Sequence, residues 1–227
     1  PEGREAVLEY RPRYVADDLL TLKMAVLADT GMCWLPDYMC EDELRNGQLV
    51  RLLPDDAVVC ADPGTPCPYF SAYYDVSRPG RHFITNRAHG ALGFSMSAAL
   101  GAWVGRPQSK CVSVMGDGSF GFTVGELETI VRHKAPLLMV VFSNSVYGWI
   151  KASQKAGYDK RYYSVDFNRT DHARIAEAYG VKAWRVEDPS KLDAAIKAAM
   201  EHDGPALIDV VTQPLQDAAA PVSQWMG

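Results

Sequence analysis

From residue 54 onward, apolar and polar positions follow one another in blocks that fit strands and helices in turn. Leu53-Pro54-Asp55-Asp56 reads as a turn before a buried strand, Ala57-Val58-Val59-Cys60-Ala61, and Asp62-Pro63-Gly64-Thr65-Pro66 then breaks the chain. The apolar triplet Phe83-Ile84-Thr85 follows, then a helix built from small residues, Ser95, Ser97, Ala98, Ala99, Gly101 and Ala102. A strand opening at Val112 ends at Gly116-Asp117-Gly118-Ser119, and Glu126, Leu127, Ile130 and Val131 mark a helix. After Pro136 comes a second strand, Leu137–Phe142. Residues 151–170 carry few core signals and read as a loop and broken helix over the strand ends. His172–Tyr179 then predicts a helix stopped at Gly180, and Val181–Val186 a strand. Asp188-Pro189-Ser190 caps a helix with Leu192, Ala195, Ile196 and Met200 on one face. Ala206–Val211 is the last buried strand. This alternation predicts an α/β fold, a doubly wound, mostly parallel sheet with helices on both faces.

The unit from Val112 to Gly148 places chemistry at one edge of that sheet. Strands joined through a helix lie parallel with a right-handed crossover. Asp117 and Asn144 therefore end up on the same carboxyl edge, where α/β proteins bind ligands. Gly116 and Gly118 permit a tight turn and leave backbone N–H groups open to an anion such as phosphate. A carboxylate and a carboxamide at adjoining strand ends suit Mg²⁺, which takes one or two protein oxygens and completes its octahedron from phosphate and water. Taken without its partner, Gly-Asp-Gly is equally an ordinary turn and Asn144 a helix cap.

GDGSF followed by SNSVYG resembles the diphosphate-and-metal motif of thiamine diphosphate enzymes, and that family's motif ends in an Asn pair. Here the first Asn of the pair is Ser143 and the second is Asn144. The resemblance implies Asp117, Asn144 and the backbone carbonyl of Val146 as Mg²⁺ ligands. It also implies Gly64, Thr65, Gly116, Gly118, Ser119, Asn144 and Tyr147 around the cofactor. In Asn86–Gly93 it assigns the Gly90 carbonyl to the aminopyrimidine N–H, and Leu92 as the bulky residue that holds the cofactor bent. The family's proline in the following small-residue run is Ser97 here. His89 stands beside this loop as a candidate acid or base, with a structural or solvent-facing histidine as the alternative, and Arg87 carries the same two readings. Tyr147, Trp149 and Gln154 are candidates to face substrate, with core packing of the two aromatics as the alternative.

The match runs roughly from Pro54 to Pro221 and looks like the cofactor domain, residues 54–227, of acetolactate-synthase-like and benzoylformate-decarboxylase-like enzymes. These use thiamine diphosphate and Mg²⁺ to break or make the bond next to a 2-oxo acid carbonyl. FAD stays open, with no residue pointing to it. The family takes a glutamate from a separate pyrimidine-binding domain, and nothing in this sequence resembles that domain. The expectation is half an active site, completed by another chain in a homo- or hetero-oligomer or by a missing part of the protein. The alternative is a catalytically silent binding or regulatory chain. A generic nucleotide-binding domain is disfavoured because no GxGxxG or GxxxxGK[ST] follows a strand.

Residues 1–53 read differently. Tyr14-Val15-Ala16 is a candidate strand, Asp17 or Asp18 a cap, and Leu19, Leu20, Leu22, Ala25 and Val26 a helix face. Gly31–Pro36 suggests a strand, Glu41–Arg45 a short helix, and Leu49–Leu53 another apolar element. The order VADDLLTLKMAVLADTGMCWLPDYMCEDELRNGQLVRLLP faintly resembles the end of the effector-binding domain of LysR-type regulators, which predicts an N-terminal α/β appendage. A helical lead-in to the main domain is the alternative.

Composition narrows the partners. The 227 residues are 48% hydrophobic and 22% charged, with net charge −5. The acidic balance and the lack of a Lys/Arg cluster argue against a nucleic-acid surface. No apolar run reaches the length of a membrane span and no signal peptide is visible. Five cysteines without a CxxC pair read as reduced thiols in a cytoplasmic protein. The chain begins at Pro1 rather than Met, as a processed or excised piece would.

Overall fold

The computed structural model describes residues 19–28, 35, 39–49, 53–64, 66–74, 76 and 79–214. The chain divides into two compact units, Pro1–Arg51 and Leu52–Gly227. In the first, the expected helices form as α1 (Leu19–Leu27) and α2 (Glu41–Arg45). Lys23 of α1 donates to the Met39 carbonyl at 2.5 Å and pairs with Glu43 at 2.6 Å, which pins α1 to α2. The strands expected at Tyr14–Ala16 and Gly31–Pro36, Leu35 apart, lie outside the described residues, as do the caps at Asp17 or Asp18. So do Thr65, residues 50–52 of the apolar element and residues 215–227 of the tail.

The second unit is built on six parallel strands: β1 (Val58–Ala61), β2 (Phe83–Thr85), β3 (Cys111–Gly116), β4 (Leu138–Ser143), β5 (Lys182–Val186) and β6 (Ala206–Val211). Their order across the sheet is β2-β1-β3-β4-β6-β5, and every pairing is parallel. The chain leaves β1 toward β2 and leaves β3 toward β4, so the winding reverses between β1 and β3. The carboxyl ends of these two strands flank the crevice where such sheets bind ligands.

Strand alternation sends odd and even residues to opposite faces. On one face Cys111, Met115, Leu137, Met139, Val141 and Leu207 pack with Met96, Phe120, Leu127, Ile130 and Ala176. These come from α4 (Phe94–Gly105), α5 (Asp117–Thr123), α6 (Glu126–Arg132) and α8 (His172–Ala178). On the other face Val112, Val114, Leu138, Ala206, Ile208 and Val210 pack with Ala195 and Ala199 of α9 (Leu192–Glu201) and with Phe70 of α3 (Pro66–Tyr73). Helices therefore cover both faces, and near-continuous apolar strands follow from burial on both sides. Among the described residues no helix is long and apolar enough to cross a membrane.

Three helices depart from the sequence reading. The breaker Asp62–Pro66 is not a free-standing turn, because Pro66 opens α3 at the one helical position where a missing N–H costs nothing. Gly-Asp-Gly-Ser is likewise more than a turn. Gly116 is extended, and α5 begins at Asp117 itself, so the backbone N–H groups at the strand end are those of a helical first turn. The polar stretch after Gly148 is a full helix, α7 (Gly148–Gly157), followed by irregular chain up to Asp171.

Candidate functional site

A cleft of about 390 Å³ opens at the carboxyl ends of β1, β2, β3 and β4. Pro63 and Gly64 line it from the β1 end, Arg87, Gly90 and Leu92 from the β2 end, and Gly116–Ser119 from the β3 end. Asn144 and Val146–Ile150 line it from the β4 end. The cleft thus gathers Gly64, Gly90, Leu92, Gly116, Asp117, Gly118, Ser119, Asn144, Val146 and Tyr147 from four separate strand ends. Thr65 lies outside the described residues.

Asp117 is 7% exposed. Its carboxylate accepts the Gly118 N–H at 2.9 Å on one oxygen and the Ser145 N–H at 2.6 Å on the other. The second bond ties the end of β3 to the loop after β4, and so holds Asp117 beside Asn144. Burial pushes the Asp117 carboxyl above its ordinary range, against the pull of the Ser145 and Gly118 N–H groups and the charge of His172. A carboxylate in this position is short of positive charge, which a cation bound there would supply. Among the described residues no cluster of three His, Cys, Asp or Glu side chains could hold a metal. The donors present are one carboxylate, one carboxamide and the carbonyls of the loop, a hard-oxygen set that suits Mg²⁺ with phosphate and water completing its shell.

The loop after β4 is bent to present these donors. Asn144 Oδ1 accepts the Val146 N–H at 3.2 Å. Ser145 takes a left-handed conformation with φ 58°, a cost that non-glycine residues bear where the surroundings fix it. Here the fixing contacts are the Ser145 N–H on Asp117 and the Ser145 carbonyl, which accepts the Phe167 N–H at 2.8 Å. The Tyr147 N–H donates to the Val165 carbonyl at 2.9 Å, and Tyr147 meets Phe167 edge to face with centroids 4.4 Å apart. A Cβ on Gly118 would lie 2.6 Å from Tyr147 Cε1. Glycine at 118 is therefore required by the close approach of the Tyr147 ring. Gly90 has φ 75°, and a Cβ there would meet nothing within 4 Å, so its glycine is required by conformation rather than by space.

Arg87 and His89 part company in the structure. Arg87 lines the cleft from the β2 end and brings a formal positive charge to it, with Nη1 3.9 Å from Cys67 Sγ. His89 is exposed and does not line the cleft. Trp149 lines it, and its indole N–H is buried without a partner. An acceptor from a bound ligand would satisfy that donor. Gln154 does not reach the cleft: its amide brackets Tyr163, donating to the carbonyl at 3.3 Å and accepting the N–H at 3.0 Å.

Two polar groups that the sequence reading passed over organise the site from below. Asp62, fully buried at the end of β1, accepts the Phe94 N–H at 2.8 Å, the Ser95 N–H at 3.3 Å and the Ser95 hydroxyl at 2.9 Å. It caps α4 and fixes the chain that carries Gly90 and Leu92; burial pushes its carboxyl up. Asp209 of β6, also fully buried, accepts from Ser143, from the His172 backbone at 3.0 Å and from Arg185 at 2.6 Å. Asp62 stood in plain view as an acid before Pro-Gly at a strand end, where capping residues sit. Asp209 carried a signal only as a lone charge inside an apolar strand.

Comparison with known proteins places this geometry in context. Residues 62–210 match the family model described as thiamine pyrophosphate enzyme, C-terminal TPP binding domain. Residues 2–76 match that of the LysR substrate binding domain, so the two matches overlap over 62–76. The chain is 36% identical to an acetolactate synthase of Bacillus subtilis (strain 168) over 168 residues, 74% of this chain and 28% of that one. It is 33% identical to a probable acetolactate synthase large subunit of Methanococcus aeolicus over 160 residues, 70% of this chain and 26% of that one. The chain thus spans about a quarter of the length of these relatives. Among solved structures, the thiamine diphosphate-dependent 4-hydroxybenzoylformate decarboxylase of Rhodococcus jostii RHA1 aligns with TM-score 0.67 and 26% identity, covering 82% of this chain and 34% of that one. A match over most of the second unit, the parallel order of its strands and the acid and amide at its carboxyl edge all agree: the chain belongs to the thiamine pyrophosphate enzymes and carries their C-terminal TPP-binding domain.

Proposed function

We propose that this chain supplies the diphosphate and metal half of a thiamine diphosphate- and Mg²⁺-dependent active site of the acetolactate synthase type, a C–C lyase or transferase acting on a small 2-oxo acid. The observation that carries the reading is the junction of Asp117 and Asn144, held by the Ser145 N–H on the Asp117 carboxylate. In this reading Asp117, Asn144 and the Val146 carbonyl hold Mg²⁺. The α5 first turn, Gly64 and Thr65 receive the diphosphate, Leu92 supports the bent cofactor, and the Gly90 carbonyl accepts from its aminopyrimidine. The bound cofactor supplies the electron sink for bond cleavage next to a carbonyl. This chain's residues bind and orient it, and Tyr147 packed on Phe167 walls off water from one side. His89 keeps an acid or base role only if the loop carries it inward, because it stands exposed.

The relatives are roughly two and a half times as long as this chain, by the shares of each that align. A pyrimidine-binding domain, in another chain of an oligomer or in a longer form of this protein, is therefore part of the proposal. A cytoplasmic, reducing setting suits the buried cysteines Cys60, Cys67 and Cys111, none of them in a disulfide. The test is calorimetric titration of thiamine diphosphate into the chain with MgCl₂, followed by assay of 2-oxo acid consumption with and without a pyrimidine-binding domain added. Binding abolished in both Asp117→Ala and Asn144→Ala supports the reading, and binding unchanged in both sinks it. Binding without turnover in the presence of the added domain would favour a silent binding or regulatory chain instead.

A further inference from the structure

The side chain just before Asn144 is set into a polar network whose members do not line the cleft. Ser143, the last residue of β4, is 6% exposed. Its hydroxyl donates to Asp209 Oδ1 and lies 2.8 Å from His172 Nδ1. A hydroxyl has one proton to give. With that proton on Asp209, Ser143 accepts from His172, which sets Nδ1 as the protonated nitrogen. Asp209 is itself fixed, since its other oxygen takes the His172 backbone N–H at 3.0 Å and Arg185 Nη1 at 2.6 Å. Arg185 is in turn anchored by the Thr170 carbonyl at 3.1 Å and Glu187 at 2.9 Å. The hydroxyl is thus bolted to β6, β5 and the first turn of α8 together.

The backbone says the same from the other side. The Ser143 carbonyl accepts the Thr212 N–H at 2.9 Å, so sheet pairing runs through Ser143 and ends there. Asn144 is the first residue off the sheet, and Ser145 beyond it is hooked to Asp117. Asn144 therefore hangs between two fixed points one residue away on either side. The first is held by the sheet pairing and the Ser143 hydroxyl together, and Asn144 Oδ1 itself accepts the Val146 N–H at 3.2 Å.

We propose that Ser143, gripped by Asp209 and His172, is a positioning residue that fixes where the Asn144 carboxamide oxygen meets the cation, and thereby favours a small, strictly octahedral ion. The inference rests on the metal reading of Asp117 and Asn144. It concerns a position where this chain has serine in place of the first Asn of the motif it resembles. Mg²⁺ demands ligands at about 2.0–2.1 Å in octahedral array, whereas Ca²⁺ accepts about 2.3–2.6 Å and flexible geometry. A loosened Asn144 therefore harms Mg²⁺ more than Ca²⁺, while a general loss of stability harms both alike.

The experiment measures thiamine diphosphate binding to the full chain by calorimetry, at saturating MgCl₂ and again at saturating CaCl₂. Ser143→Ala is expected to weaken the Mg²⁺-supported affinity roughly tenfold or more, the usual effect of losing an outer partner of a metal ligand. The Ca²⁺-supported affinity falls distinctly less, and Ser143→Thr, which keeps the hydroxyl, restores the wild-type ratio. Should Ser143→Ala fail to fold, Ser143→Val against Ser143→Thr makes the same comparison at nearly constant shape. Equal losses with both ions, or no loss with either, overturn the proposal. Asn144→Ala separates the two layers: if it binds as the wild type does, the metal reading fails and takes this inference with it. If it loses binding while Ser143→Ala does not, only the positioning role fails.

Discussion

Replacing Asp117 with alanine removes the one carboxylate of the site, and the structure says how the loss should register. The protein offers a cation a single charged side chain, with no cluster of three acidic, His or Cys ligands among the described residues. Metal alone is therefore held weakly, and diphosphate alone meets an acid 7% exposed with no Lys or Arg paired to it among the described residues. Each ligand supplies the charge the other needs, so the two should bind together or hardly at all. At a concentration a hundredfold above the dissociation constant, binding stabilises the folded state by about 2.7 kcal/mol. For a unit of this size that is a rise in Tm of roughly 5–10 °C. Asp117→Ala also strips the Gly118 and Ser145 N–H groups of their acceptor, a cost of about 1–3 kcal/mol for each N–H left without one. Relief of a buried, unpaired charge acts in the opposite direction and is of comparable size. The apo Tm can thus move either way, and the informative quantity is the shift on adding ligand. Thermal unfolding with no addition, MgCl₂, thiamine diphosphate, and both should show a large shift only for both in the wild type and none in Asp117→Ala. An equal shift in the variant, or a full shift with thiamine diphosphate and a chelator, would refute the reasoning.

Three further substitutions probe the frame around the site. Gly118→Ala forces a methyl to within 2.6 Å of the Tyr147 ring, which should cost roughly 1–3 kcal/mol in chemical denaturation. Combining it with Tyr147→Ala should recover part of that loss, and strict additivity would show that the two do not touch. Asp62→Ala removes the cap of α4 and leaves the buried Ser95 O–H without its acceptor, for about 2–4 kcal/mol on denaturation; a loss under half a kcal/mol would refute the capping role. Burial pushes the Asp209 carboxyl up, but His172, Ser143 and Arg185 more than offset it, leaving the group below its ordinary range. A depressed folded value means stability that is full above the unfolded carboxylate range and is lost as pH falls through the folded value. Arg185→Ala should flatten that acid limb in denaturation curves taken across pH, and an unchanged slope would count against the ion pair.

The architecture was legible because burial on both faces writes itself into sequence. The strands β1, β3, β4 and β6 are runs of Val, Leu, Ile and Met that no amphipathic helix would carry, and β6 falls where its apolar run does. Helices α6, α8 and α9 showed their apolar faces and their stops. What stayed hidden was hidden for physical reasons. Helix α3 begins with two prolines among its first three residues, and proline reads as a breaker until the chain geometry puts it in a first turn. Helix α5 opens on Asp-Gly-Ser and holds a second glycine. Its helicity is imposed by the strand before it and by Phe120 packing into the core, not by propensity.

The site divides along the same line between what is local and what is assembled. Asp117 and Asn144 could be named because each ends a strand, and parallel connection carries both to one edge whatever the rest of the chain does. The support beneath them could not, because it is built from residues far apart in sequence that meet only through register. Val141 lies opposite Asp209 across β4 and β6, so Ser143, two residues further on and on the same face, projects toward the same buried layer as the Asp209 carboxylate. No spacing in the sequence announces that meeting; it follows from the pairing of two strands and from α8 starting at His172. The same holds for Asp62 and Ser113, which reach Ser95 from neighbouring strands β1 and β3. In each case a charged or hydroxyl side chain occupies an inward position in, or just past the end of, an otherwise apolar strand, and the network it joins lies beneath a loop that lines the cleft. A polar residue in such a place is costly unless it is paired. Its presence in the strand is therefore a readable mark that the loop above it has to be held in one position.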